Sequence, residues 1–225
     1  ISGDGPANDR VSRTFRVDPV ACDGCGVCVR VCEHEAIQFG PVINGHWFVS
    51  DTRCGPMVHA RLHPGAENSG KLVSLVREEA RRIAAERHFE WVLIDGSPGI
   101  GCPVIASLTG ADFALVVAEP SLSGLHDLKR IAELTAHFNI ETFLAVNKWD
   151  VNPRICGEIE AEADNRGIQT AGRIRYDRAV TEAQIRKLSV VEYAKNGVAA
   201  DVRHIWEQLA SRLCQERTNQ QLTVL

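Results

Sequence analysis

The sequence predicts an α/β protein with a mostly parallel sheet flanked by helices, preceded by a small cysteine-rich α+β module near the N-terminus. Two observations predict this fold. From Lys71 onward, apolar residues at helical spacing alternate with short continuous apolar runs, as helices alternate with buried parallel strands. Ahead of that region, four cysteines lie close together between Cys22 and Cys32.

The predicted elements follow one another along the chain. Residues 1–15 are predicted to be a linker, residues 36–37 a short strand and residues 47–49 a second strand. Asn152 before Pro153 predicts the start of a helix that Gly167 ends. In the body we predict helices from Lys71 and over 103–108, 125–138, 153–167 and 198–213, strands over 91–94, 113–118, 142–147 and 168–174, and a frayed tail over 218–225.

Composition limits the classes of protein to which the chain can belong. The 225 residues are 44% hydrophobic and 24% charged, which is ordinary for a soluble globular chain. The net charge of −4 argues against nucleic acid as a partner, and no apolar run is long enough to span a membrane. Eight cysteines without a signal peptide predict a reducing compartment, the cytoplasm. Because the chain opens with Ile1 in a linker-like stretch, we expect it to begin partway through a longer protein.

The cysteine run has the spacing C-x2-C-x2-C-x3-C, formed by Cys22, Cys25, Cys28 and Cys32. Soft thiolate ligands at this spacing predict a 4Fe-4S cluster, bound by the first three cysteines, while the fourth ligates another cluster in two-cluster ferredoxins. The sequence contains one such run. A ligand set for two clusters therefore requires a second run from outside this chain.

Polar motifs follow two predicted strands of the body. Asp95 ends the apolar run 91–94 and is followed by glycines, as in a Walker B and switch region, where an aspartate organises Mg²⁺ and amides contact phosphate. Asn147 and Asp150 belong to an N-K-W-D motif at the end of strand 142–147, where P-loop proteins contact the base. The alternative for Asp95 is an ordinary Asp-Gly turn. The alternative for the N-K-W-D motif is an ordinary polar turn from a strand into a loop.

A phosphate-binding loop should precede both motifs. Residues 65–72 match G-x-x-x-x-G-K, but Leu72 replaces the hydroxyl residue that contacts magnesium and no buried strand precedes the match. We interpret it as a false match.

The remaining cysteines and two histidines are further candidates. Cys54 is either a replacement ligand or a partly buried thiol, and His59 with His63 has metal-binding spacing only in a helix. Cys102, Cys156 and Cys214 are predicted to be small core residues.

Together these motifs resemble the MinD/ParA-type P-loop ATPases that contain an inserted ferredoxin domain. The similarity extends over residues 17–213, although Glu33 stands where ferredoxin runs usually have proline and Arg175 where the ATPase family tends to have it. Besides the cysteine run, it is carried by residues 52–60, 67–73, 94–101, 119–120, 123–124, 126–128 and 147–150. The resemblance implies a P-loop NTPase-like sheet with a ferredoxin-like insert, and it implies that the P-loop strand and the first cysteine run are absent, leaving a gap in the sheet.

The resemblance also implies roles and domains. Asp95 would hold Mg²⁺ and orient water, and Gly99 would donate its amide to the γ-phosphate. Asn147 would face adenine. For Asp150 the resemblance implies no single role. We predict these segments: a linker (1–15), a partial 4Fe-4S module (16–42), a connector (43–70), an ATPase body (71–215) and a tail (216–225).

The predicted function is an ATPase that couples ATP to electron transfer or to iron–sulfur or metal cofactor assembly. It would act as a homodimer through the ATPase body, with a redox or cofactor-assembly protein as partner. The chain on its own is expected to be inactive. An electron carrier without nucleotide turnover, or a GTPase that reads guanine through Asn147 and Asp150, is the alternative.

Overall fold

The computed structural model describes residues 1–6, 9, 12–18, 21–66 and 69–222, with the backbone alone for residues 4, 5 and 214–222. The chain divides into two compact units, Ile1–Asp95 and Gly96–Leu225. The first unit contains β1 (Ser2–Gly5), β2 (Thr14–Arg16), α1 (Val27–Val31), β3 (Gly45–Thr52), β4 (Gly55–Leu62) and α2 (Gly70–Arg87).

Two short strands occupy the start of the first unit. β1 pairs antiparallel with β2, so the predicted linker over 1–15 contains a strand. The pairing brings the Phe15 ring so close to Gly3 that a Cβ atom on Gly3 would lie 2.9 Å from it. Gly3, which the sequence assigns to a linker, therefore permits close contact between the two strands. The strand predicted at residues 36–37 is wrong, since these residues lie in no strand.

A β-hairpin occupies Gly45–Leu62, within the predicted connector (43–70). β3 and β4 pair antiparallel along their whole length, which confirms the strand predicted at 47–49 and adds a second one. The Thr52 hydroxyl stabilises the turn, because it donates to the carbonyl oxygen of Gly55 at 2.6 Å and accepts from the amide of Cys54 at 3.2 Å. Cys54 is exposed in this turn, which corrects the predicted partial burial. His59 lies on β4 and bonds the hydroxyl of Ser50 at 3.0 Å, so the helical spacing of His59 and His63 is absent.

The last two residues of the G-x-x-x-x-G-K match, Gly70 and Lys71, begin α2. Ser69 caps this helix, and its hydroxyl accepts from the amide of Leu72 at 3.2 Å. Glu67 and Asn68 lie outside the described residues. A helix cap explains Ser69 and Gly70 without a phosphate ligand, which agrees with the interpretation as a false match.

The apolar run 91–94 forms no strand, which corrects the sequence prediction. Leu93 is 93% exposed, and Trp91 and Val92 are also exposed. A β-strand exists only through hydrogen bonds to a neighbouring strand, and none pairs with this run among the described residues.

The second unit has a three-stranded parallel sheet in the order β5–β6–β7. This arrangement confirms the predicted parallel α/β body and its strands over 113–118, 142–147 and 168–174. Its elements are α3 (Cys102–Leu108), β5 (Phe113–Ala118), α4 (Leu122–His137), β6 (Glu141–Asn147), α5 (Pro153–Asn165), β7 (Gln169–Ile174), α6 (Ala179–Ile185), α7 (Val190–Tyr193) and α8 (Val198–Leu222).

Helices cover both faces of this sheet. Leu144 and Val146 of β6 pack with buried residues of α4 and α5, whereas Phe143 and Ala145 pack on the opposite face with Ile205 of α8. The alternation follows from the two-residue period of a strand. Because β6 pairs with a strand on each side and is covered on each face, it forms the centre of the unit.

Helix ends in the second unit follow from local sequence. The Asn152 side chain accepts from the amide of Ile155 at 3.2 Å, which confirms the predicted start of α5 at Pro153.

Two short helices of the second unit, α6 and α7, are absent from the sequence prediction. That prediction also placed a frayed tail over 218–225, whereas α8 continues to Leu222 and residues 223–225 lie outside the described residues.

Candidate functional site

The cysteine run occupies a loop that leads into α1. Gly24 and Gly26 have φ of +66° and +70°, a left-handed conformation that other residues rarely adopt. Cys22 and Cys25 are exposed, whereas Cys28 and Cys32 are half-buried. The two glycines thus fold the backbone closely between the first three thiols.

The donor chemistry of this loop fits an iron–sulfur cluster. All four thiols are free, and the Sγ atom of Cys32 accepts a hydrogen bond from the amide of Ala36 at 3.4 Å. Amide hydrogen bonds to sulfur are among the contacts that tune cluster thiolates. Among the described residues, no three histidine, cysteine or acidic side chains converge as metal ligands.

A second candidate site lies at the carboxyl edge of the sheet, where open parallel sheets bind ligands. Asn147 is the last residue of β6, is half-buried and pairs in register with Ile174 of β7. Lys148 follows with φ of +55°, and its Nζ atom lies 2.6 Å from the Oε1 atom of Glu119 after β5. This ion pair links the ends of two adjacent strands.

The loops after β6 and β7 are also joined. Asp150 accepts a hydrogen bond at Oδ1 from the amide of Tyr176 at 2.8 Å. Arg175 binds both carboxylate oxygens of Asp201 in α8, at 2.7 and 2.8 Å, and its amide donates to the same carboxylate at 3.1 Å. The Arg175 guanidinium holds the pKa of Asp201 below its ordinary value. The segment that follows β7 is therefore hydrogen-bonded to the segment after β6 and to α8.

A tight turn follows β5. The Ser121 hydroxyl accepts from the amide of Gly124 at 3.0 Å and caps α4. A Cβ atom on Gly124 would lie 2.1 Å from the carbonyl oxygen of Glu119. This close approach gives Gly124 a structural role and fixes the backbone that carries Glu119.

The predicted phosphate-side residues are four positions apart and fall on either side of the boundary between the two units. Asp95 is exposed and is the last residue of the first unit. Gly99 lies in the second unit, in the loop before α3, with φ of +88°. Asn147 ends β6, and Asp150 lies three residues later in the segment that follows it. The roles predicted for these four residues stay predictions.

The remaining cysteines divide between core and surface. Cys156 is buried in α5, as predicted, and burial raises the pKa of its thiol. Cys102 is exposed at the start of α3, so its predicted core position is wrong. Cys214 lies within α8, where the side chain is not described.

Sequence reasoning did not assign the contacts of Glu119, Tyr176 and Asp201 at this edge. The segment 119–120 resembles the ATPase family, and Arg175 stands out as a departure from it, but neither signal names a partner. The partners lie far apart along the chain, so only the folded sheet brings them together.

Comparison with known families agrees with the chemistry of the cysteine loop. Residues 14–37 match the 4Fe-4S binding domain. This segment includes all four cysteines of the run.

Comparison with solved structures agrees with the observed sheet and helices. MinD cell division protein from Aquifex aeolicus superposes with a TM-score of 0.55 at 19% identity, covering 72% of this chain and 68% of that one. The cell division ATPase MinD of Pyrococcus furiosus gives a TM-score of 0.51 at 17% identity, covering 64% and 59%. At these identities the likeness shows the fold.

Two curated relatives come from Methanocaldococcus jannaschii, and both are uncharacterized. Protein MJ0578 is 33% identical over 139 residues, covering 61% of this chain and 48% of the relative. Protein MJ0579 is 23% identical over 190 residues, covering 84% and 61%. The chain thus spans about half to three fifths of the length of these relatives.

Among the described residues, no helix is long and apolar enough to cross a membrane. The family model covers the cysteine loop, and the likeness to solved structures agrees with the parallel sheet and its helices. The chain joins a 4Fe-4S binding domain near its N-terminus to a body with the fold of the MinD/ParA-type P-loop ATPases.

Proposed function

We propose that the chain is part of an iron–sulfur ATPase that couples ATP binding and hydrolysis to electron transfer or to the assembly of an iron–sulfur or metal cofactor. One observation carries the proposal. A 4Fe-4S binding domain and a MinD-like body occur in the same chain. A cluster alone would need no such body, and a nucleotide switch alone would need no thiol ligands.

The cysteine loop would hold the iron–sulfur group. Cys22, Cys25 and Cys28 are the proposed ligands of one 4Fe-4S cluster, and Cys32 is the proposed ligand of a second. Such a cluster supplies reversible one-electron chemistry when bound. The amide of Ala36, 3.4 Å from the Cys32 sulfur, would stabilise the thiolate form of that ligand.

Asp95, Gly99 and Asn147 are the proposed ligands of Mg²⁺ and ATP. Asp95 is proposed to bind Mg²⁺ and to orient the water that attacks the γ-phosphate, while the amide of Gly99 contacts that phosphate. Asn147 is proposed to bind the base. The ion pair between Lys148 and Glu119 supports this role, because it joins the residue after Asn147 to the segment after β5.

The proposed assembly is a homodimer formed through the body, with a redox or cofactor-assembly protein as partner and the cytoplasm as compartment. MinD from Aquifex aeolicus has been solved in a complex with MinC, so a body of this fold can bind a protein partner in that case.

Calorimetry on the full-length protein, together with its iron and sulfide content, tests the proposal. We expect ATP to bind in the presence of Mg²⁺, Asn147→Ala to weaken binding, and Cys25→Ser to lose iron while leaving ATP affinity intact. Cys102→Ser, which changes an exposed cysteine outside the run, is the matched control and should retain full iron content. Iron without nucleotide binding would instead support an electron carrier, and preferential binding of GTP would support a GTPase.

A further inference from the structure

The carboxylate of Asp150 contacts the chain itself. Its Oδ1 atom lies 2.8 Å from the backbone nitrogen of Tyr176, which follows β7. A charged acceptor on a backbone amide forms a strong type of hydrogen bond. The fourth residue of the N-K-W-D motif therefore fixes the backbone of a neighbouring loop.

Two further contacts hold the segment Arg175–Asp177. Arg175 forms the paired hydrogen bonds with Asp201 of α8, and Asp177 accepts from the amide of Ala179 at 2.9 Å. The Arg175 side chain is thus committed to α8. Tyr176 lies between these anchored residues, and the residue is 62% exposed.

The position of Tyr176 relates it to Asn147. In the parallel ladder, Asn147 pairs with Ile174, so Tyr176 follows the strand end beside Asn147 by two residues. Ligands of open parallel sheets bind beyond these strand ends. The Asn147 carboxamide offers one donor group and one acceptor, the combination that matches the edge of adenine.

We propose that Asp150 is a positioning residue that holds Tyr176 at the carboxyl edge, where the exposed tyrosine ring stacks on the nucleotide base bound by Asn147. This inference rests on the proposed function. An aromatic ring stacks on any base, so the choice of base would come from Asn147 and from the shape of the edge. Asp150 then acts through Tyr176, without contacting the nucleotide.

The alternative role of Asp150, binding to guanine, requires a different orientation of its carboxylate. To read guanine, the carboxylate must accept from the two adjacent N–H donors of the base and must face the base to do so. In the structure its Oδ1 atom faces the Tyr176 amide. Substitution by asparagine separates these roles, because the asparagine Oδ1 atom can still accept from the amide, while its NH₂ group cannot accept from guanine.

The first test is the binding of ATP, GTP and XTP to the full-length protein, measured by calorimetry. Tyr176→Ala should weaken ATP binding by about 5- to 150-fold, the range for loss of one aromatic stack, whereas Tyr176→Phe should bind like wild type. Asp150→Ala should weaken ATP binding, and Asp150→Asn should restore it. A shift of Asp150→Asn toward XTP would overturn the proposal, because it would show direct contact with the base.

The second test needs no nucleotide. Amide hydrogen exchange at Tyr176, followed by NMR, should be slow in wild type and in Asp150→Asn but faster in Asp150→Ala. Equal exchange in all three would overturn the positioning role. If wild type binds ATP but Tyr176→Ala binds it equally well, this inference fails and the proposed function stands. If wild type binds no nucleotide, the proposed function fails and the stacking role fails with it.

Discussion

Two apolar runs of similar composition, β6 and residues 91–94, adopt different structures. The β6 residues Phe143 to Val146 are at most 3% exposed, and β6 pairs with a strand on each side. Leu93, in contrast, is 93% exposed in a segment without strand structure. Both runs end in a predicted site residue, Asn147 and Asp95 respectively.

The difference shows that an apolar pattern alone secures neither a strand partner nor burial. Backbone groups of a strand need a neighbouring strand, and parallel strands also need cover on both faces. β6 has both within the second unit. The Lys148 and Asp150 side chains after it consequently contact neighbouring loops, whereas Asp95 is exposed and follows a run that forms no strand.

The largest effect is expected when one leucine in each of the two apolar runs is replaced by alanine. Leu144→Ala removes a fully buried side chain and should lower the free energy of unfolding by about 2–5 kcal/mol. Leu93→Ala, the matched change in the exposed run, should change it by less than about 0.5 kcal/mol. Denaturant titrations followed by circular dichroism measure both. A large loss for Leu93→Ala would show that this run is buried in solution.

The second prediction concerns the turn that follows β5, the strand beside β6. Gly124→Ala should destabilise the protein by about 1–3 kcal/mol, because the new Cβ atom would lie 2.1 Å from a backbone carbonyl oxygen. Gly157→Ala is the control, since its Cβ atom would meet nothing within 4 Å and α5 should gain about 0.5–1 kcal/mol. Equal and small effects would contradict the close turn. Thermal melts of both variants provide the measurement.

The third prediction concerns the loop after β7, on the other side of β6. The pKa of Asp201 is lowered in the folded state by Arg175, so this contact stabilises the protein above the ordinary value of 3.8 and is lost as the pH falls through the lowered pKa. The melting temperature of Asp201→Asn should thus lie below that of wild type at neutral pH, and the difference should shrink in strong acid.

Glu207→Gln, an exposed change on the same helix, provides the control for this pH series. It should melt close to wild type throughout. A wild-type advantage over Asp201→Asn that persists or grows in strong acid would contradict the sign of the shift.

The smallest effect is expected for the ion pair between β5 and β6. Lys148 and Glu119 are 42% and 54% exposed, so solvent and salt screen their attraction. A double-mutant cycle with Lys148→Ala and Glu119→Ala should give a coupling of about 0.2–1 kcal/mol, reduced by salt. A salt-independent coupling well above this range would show that the pair is shielded from solvent.

The sequence alone predicted the body well where periodicity and caps coincide. β5, β6 and β7 and the start of α5 were recognised because apolar runs are bounded by turn residues such as Asn152 and Gly167. α7 was missed although Ser189 and Glu192 form a capping box, a signal that the S-x-x-E spacing contains.

The candidate sites were predictable in part for a similar reason. The cysteine spacing is local, so the sequence identified the 4Fe-4S segment directly. The contact between Asp150 and Tyr176 joins the ends of two strands, so it follows only from the folded sheet. The missing strand at 91–94 has the same cause, since a pairing partner cannot be inferred from the run itself.

Coupling between the cluster and the nucleotide is the central claim. It is tested most directly by the electron paramagnetic resonance spectrum of the dithionite-reduced, full-length protein, recorded with and without MgATP. We predict that MgATP changes the spectrum of wild type and that Asn147→Ala requires higher MgATP concentrations for the same change. A cluster spectrum that is identical with and without saturating MgATP would contradict the account.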